Sequence, residues 1–311
     1  MPNIVPANTR VAPWIGIGVS GQWDNSHDAL EAAGLDFTVR REDLYWQHVD
    51  SGGIVYDEKV PMYANIRNTD DRLLGCVTPQ YQIMQNDKAF SVIDPFLGNG
   101  KITHAGMTED GLVFMVAEVS MRTFGNEDYV IYLMATNSFN TKYPCQVIMT
   151  PVRIVCQNMY RKIVNDRIFL AKHTTTVGYR LSQIASGNAV EKKISLFGNI
   201  VEQAQSTRLN RAKLEMLVAA MFPYPKEGGP RELTFKMKAD QARKEFVDSY
   251  YDASDNVVHH GTAFGFVNAY YDWLSHRPQT RNMNGSWADR RFQGIVSGDD
   301  VNVSLLKEAI R

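Results

Sequence analysis

The stretch PVRIVCQNMYRKIVNDRIFLAKHTTT, residues 151–176, holds the groups in this chain best suited to chemistry. Arg153, Arg161, Lys162, Arg167, Lys172 and His173 stand against one acid, Asp166, and three threonines close the run. Guanidinium and ammonium groups neutralise phosphates and release counterions, while hydroxyls and amides position the backbone they belong to. The pattern points to phosphate contacts. The bland alternative is a solvated face plus one buried Arg–acid pair. Arg153 lies in an otherwise apolar strand, where a charge needs a partner or a groove. A second group spans residues 268–292, where Tyr270, Tyr271, Trp273, Trp287 and Phe292 alternate with Arg277, Arg281, Arg290 and Arg291. Rings can stack bases while cations follow the strand. The alternative there is an aromatic helix face in the core, with the arginines in a surface loop beyond it.

Other chemistry is sparse. The chain has no Walker A loop, no G-x-S-x-G and no H-E-x-x-H, so no catalytic residue is assigned. WIGIGVSG contains G-x-G without a strand–loop–helix unit around it and reads as a glycine-rich turn. The seven histidines lack metal-ligand spacing, and neighbours such as His259 and His260 rarely face one ion. No metal and no cofactor is expected. The acid pairs Asp70–Asp71, Glu109–Asp110 and Asp299–Asp300 could grip magnesium in a nuclease site. Turns and helix starts favour acids on their own account.

Bulk composition sets the background. The 311 residues carry a net charge of −1, so any electrostatic partner must be met by a local patch. Residues 28–58 hold eight acids against Arg40 and Arg41, which suggests an acidic face opposite a basic one. Cys76, Cys145 and Cys156 form no C-x-x-C and sit in or beside apolar runs, reading as buried thiols in a reducing compartment. The start resembles no signal peptide, and no run approaches the roughly 18 apolar residues of a membrane span. A soluble cytoplasmic protein without membrane contact is expected.

These groups must be positioned by a β-rich half and an α-rich half. Strand pairs are expected around the polar turn at Asn68–Asp71 and around Glu109-Asp110-Gly111, where glycine reaches positive φ. EDYVIYLMATNSF, CQVIMTPVRIVC and RIFLA read as further strands, and NDKAFSVIDPFLG as a short helix capped by Asn86 or Asp87. A helix starting near Cys156 would carry Arg161 and Lys162. After residue 175 the periodicity turns helical, with segments ending near Pro223 and His276 and a last helix capped in Ser297–Asp299. The fold class is α+β: a twisted antiparallel sheet with a packed helix over residues 1–175, then a mainly helical region over 176–311 packed on it.

WIGIG, AGLDFTVR, LLGCVTPQYQIMQNDKAF, PVRIVCQNMYRKI with KHT behind it, and GTAFGFVNAYYDWLSHR occur in this order between Trp14 and about Gly294. Together they resemble the phage/plasmid-like proteins that share a large domain of unknown function. The resemblance implies a mobile-element setting in a bacterial host cell and carries over no catalytic residue. At the level of architecture, the strand–strand–helix–strand order is similar to the single-strand annealing recombinases of the Red-beta and RecT class, which assemble as oligomers.

The leading expectation is a non-enzymatic nucleic-acid-binding protein of phage or plasmid DNA metabolism. It would bind single-stranded DNA for annealing in recombination and act as a homo-oligomer. The first basic group would hold phosphates and the four arginines after Trp273 would form a second wall. Two alternatives stand beside it: a metal-dependent enzyme on nucleic acid built on Asp70 and Asp71, and a structural or host-defence-inhibiting protein whose acidic 28–58 segment meets a host or phage partner.

Overall fold

A computed structural model describes residues 14, 16–154, 167–182, 189–276 and 303–311. Among the described residues nine strands form two antiparallel sheets in the first half, and helices make up the second, so the class is α+β. The larger sheet runs β1 (Val19–Trp23), β5 (Lys101–Met107), β6 (Leu112–Phe124), β7 (Glu127–Ser138), β8 (Cys145–Arg153), β9 (Arg167–Ala171) in that spatial order. The smaller sheet is β2 (Val39–Val49), β3 (Val55–Arg67) and β4 (Leu73–Val77).

Alternation along the central strands decides which side chain meets which layer. On β6, Val113, Met115 and Ala117 face the main core, while Leu112, Phe114 and Val116 face a second cluster with Trp14 and Ile17. All of β8 is buried, as a strand covered on both faces must be. The turn residues behave as their chemistry requires: Gly111 has φ 90° between β5 and β6, and Gly18 has φ 72° where the chain enters β1.

Short helices α1 (Ser26–Ala32), α2 (Asn86–Phe90) and α3 (Asp94–Leu97) pack beside the sheet. Asn86 does not cap α2. Its amide donates to Leu35 O at 2.8 Å, and its carbonyl accepts from Asn137 at 3.0 Å. Gln85 at the cap position bonds Val39 instead, through both ends of its amide (2.9 and 2.7 Å).

The later helices are α4 (Val177–Ser182), α5 (Ala189–Ser206), α6 (Arg211–Met221), α7 (Glu232–Asp252), α8 (Ala263–His276) and α9 (Val303–Ile310). On α5, the buried side is Val190, Ile194, Phe197, Gly198, Val201 and Ala204, the spacing of one helical face. Phe197 stands edge-on to Tyr129 at 5.1 Å and to Phe124 at 5.6 Å. A Cβ at Gly198 would lie 2.4 Å from the Phe124 ring, so this glycine lets helix meet sheet. One apolar cluster joins Met115, Leu133 and Met149 of the sheet to Phe197, Phe246, Phe266 and Leu306 of the helices. Among the described residues no helix is long and apolar enough to cross a membrane.

Candidate nucleic-acid interface

The basic segment divides as soon as the chain leaves β8. Arg153 is only 2% exposed. Its Nε and Nη2 donate to the two carboxylate oxygens of Glu127 at 2.6 and 2.7 Å, and Nη1 reaches Asp255 Oδ2 at 3.2 Å. Nη2 also donates to the Asp255 carbonyl at 3.1 Å, and His259 Nε2 lies 2.5 Å from Glu127 Oε1. Burial alone would raise the Glu127 carboxyl. Hydrogen bonds and charge from His259 and Arg153 outweigh it and bring the group to about 2. Arg153 is therefore a pin between β7–β8 and the turn after α7, and its guanidinium is not presented to a phosphate. The reason is the one that makes isolated charges rare in apolar strands: such a charge survives only when fully paired.

His173 is withdrawn as well. It is buried, stacked on Tyr81 with ring centres 4.7 Å apart and planes 13° from parallel. Nδ1 donates to Gln82 O at 3.3 Å. Burial pushes the imidazole down to about 4, so it is neutral at pH 7 and adds no charge. Tyr81 donates to Ser138 O at 2.7 Å, and the Arg41 guanidinium donates to Tyr81 O. The ring stack thus ties the start of the hydroxyl run to both sheets.

What remains outside is a strip. Arg167 is half-buried at the start of β9, opposite Ile148. Lys172, Thr174, Thr175, Thr176 and Arg180 are exposed along the turn into α4 and on that helix. β9 is the last strand of its sheet, which sets this strip at a sheet edge. Arg161 and Lys162 lie outside the described residues, as do Arg277, Arg281, Arg290 and Arg291 with Trp287 and Phe292. The aromatic members of the second group that are described serve the core: Tyr270 and Tyr271 are buried on α8, and Trp273 packs edge-on against Phe222 at 5.1 Å. They are not stacking platforms.

The carboxylate pair weighed for magnesium is occupied by cations. Asp70 pairs with Arg67, and Asp71 pairs with Arg40 at 2.8 Å, so two arginines draw the neighbouring acids to themselves. Among the described residues no group of three His, Cys, Asp or Glu could hold a metal ion. A 510 Å³ cleft lies between α6 and α7, but its arginines are engaged. Arg211 pairs with Glu215 at 2.8 Å, and Arg243 donates to Phe222 O and covers the Tyr224 ring at 3.9 Å. Of the cysteines, Cys145 is buried but Cys76 on β4 is exposed, contrary to the expectation of buried thiols; Cys156 lies outside the described residues.

Sequence reasoning missed one surface feature. β2 and β3 form a long hairpin, and near its end Trp46, His48 and Tyr56 stack in series at 4.5 and 5.3 Å, with Trp46 and Tyr56 exposed. Gly52-Gly53 between two aromatic runs was the available signal.

A family model, Domain of unknown function (DUF932), matches residues 73–294. The chain belongs to this family. The DUF932 match runs from β4 to beyond the end of α8, including the Arg153 pin and the Lys172–Arg180 strip; the β2–β3 hairpin precedes it. No curated protein and no solved structure matches the chain.

Proposed function

We propose that the protein binds single-stranded nucleic acid, non-enzymatically, along the strip formed by Arg167, Lys172, Thr174–Thr176 and Arg180. The single observation behind this reading is that Lys172, Arg180 and the three threonines are exposed together on one turn–helix segment, with Arg167 half-buried at its start, while Arg153 and His173 are committed to structure. Lysine and arginine release counterions from phosphates, and threonine hydroxyls set the register of the backbone. Among the described residues the strip has no buried aromatic slot to select a base, so binding indifferent to sequence is expected. Bases would face away from the strip and stay open to a complementary strand, which suits annealing. The phage or plasmid setting rests on the sequence resemblance, and the likeness to annealing recombinases on architecture alone.

The test is the affinity of a labelled single-stranded oligonucleotide for the wild type and for Lys172→Glu/Arg180→Glu. Both sites are exposed, so the variant folds, and it is expected to bind at least tenfold more weakly. Equal affinity would contradict the reading. Protein binding through the β2–β3 hairpin is the second reading, favoured by the exposed ring stack at its end.

A further inference from the structure

The outer half of the hairpin, Tyr45 to Glu58, carries Asp50, Asp57 and Glu58 and no lysine or arginine. Trp46 is 56% exposed, and Tyr45, Val49, Ile54 and Val55 are exposed with it. The end is preformed. Asp50 accepts from the backbone N–H groups of Gly52 and Ile54 at 2.9 Å and from Tyr56 Oη at 3.2 Å, and Gly53 takes φ 81° in the turn. Exposed aromatics on a preorganised arm are typical of a contact surface, because little side-chain freedom remains to be lost. Its acids argue against nucleic acid as the occupant, since phosphates would be repelled.

The first turns of α7 are the complement. Residues 231–238 carry Arg231, Lys236 and Lys238 against Glu232, and Glu232 is drawn to the Gly228 N–H at 2.7 Å. Leu233 is 73% and Met237 64% exposed, and at i, i+4 they share one helix face. Phe235 is exposed beside Lys238, whose Nζ stands 5.8 Å from the ring. Helix and arm each join uncovered apolar surface to charge, of opposite sign. Both are exposed in the same chain, so they do not cover each other within one molecule.

We infer that the β2–β3 arm of one copy docks on the first turns of α7 in a second copy. The contact joins two different patches, so it is heterologous and repeats: it closes into a ring or continues as a filament. It does not rest on nucleic-acid binding and is read without nucleic acid present.

Light scattering across a concentration series tests it with the full chain and two surface variants, Asp57→Lys/Glu58→Lys on the arm and Lys236→Glu/Lys238→Glu on the helix. The wild type is expected to grow beyond one chain with concentration, and each variant alone to stay at one. In an equimolar mixture the native arm meets the native helix end and the two reversed patches match each other, so assembly is restored. Joining all four changes in one chain restores it likewise. A wild type that remains a single chain throughout would overturn the inference, even if it captured another protein. So would assembly indifferent to the helix variant, which marks arm-to-arm contact, or a mixture that stays at one chain.

Discussion

Arg153 and Glu127 meet as a two-pronged pair inside the protein, Nε to Oε2 at 2.6 Å and Nη2 to Oε1 at 2.7 Å, each nearly without solvent exposure. The pair joins the end of β8 to the start of β7, and Asp255 and His259 bring the helical half to the same point. What the sequence offers as a phosphate-binding arginine is the fastener between two parts of the fold.

Removing one member leaves the other charge buried alone. Arg153→Met or Glu127→Gln should each lower unfolding free energy by about 3–5 kcal/mol in urea titrations. The pair also makes stability acid-sensitive. Glu127 falls from an ordinary 4.5 to about 2 in the fold, so the unfolded chain takes up the proton first. The stabilisation is complete above about 4.5 and disappears as pH falls toward 2. Glu127→Gln should flatten that part of the stability–pH curve; an unchanged slope would remove the pair as its cause.

His173 acts in a different window. Its folded value is about 4 against 6.5 unfolded, because burial disfavours the imidazolium. As pH drops from 6.5 to 4 the unfolded chain protonates first, and stability should decline by about 3 kcal/mol. His173→Phe retains a ring against Tyr81 and removes the titration. Its stability should be level across that window, while a retained slope would place the proton elsewhere.

The two described cysteines should differ in reactivity. Burial pushes the Cys145 thiol up to about 12, and Cys76 lies at the surface of β4. Timed alkylation read by peptide mass should label Cys76 in native protein and Cys145 only on unfolding. Fast labelling of Cys145 would mean that β8 opens readily.

Much of the fold is legible in the sequence, because the central strands are near-continuous apolar runs bounded by turn residues such as Gly111. The helices of the second half declare themselves by spacing, as Ile194, Phe197 and Val201 do on α5. β2 is hidden for a physical reason: RREDLYWQHV lies on an arm with solvent around it, so no apolar alternation is imposed on it. The candidate site was half visible. Residue type reveals that Arg153 and His173 are positive or polar, but their fate depends on Glu127 and Tyr81, far away in the chain. Lys172, Thr174–Thr176 and Arg180 are exposed, and nothing in residue type alone separates them from the buried Arg153 and His173 of the same run.

The most direct test of the account is fluorescence anisotropy of a labelled single-stranded oligonucleotide, titrated with salt. Log affinity should fall with log salt by about 0.7 for each phosphate neutralised. Binding at low salt is expected, with a slope of about 2 or more that becomes shallower in Lys172→Glu/Arg180→Glu. Absence of binding at low salt, or a slope unchanged by the two charge reversals, would contradict it.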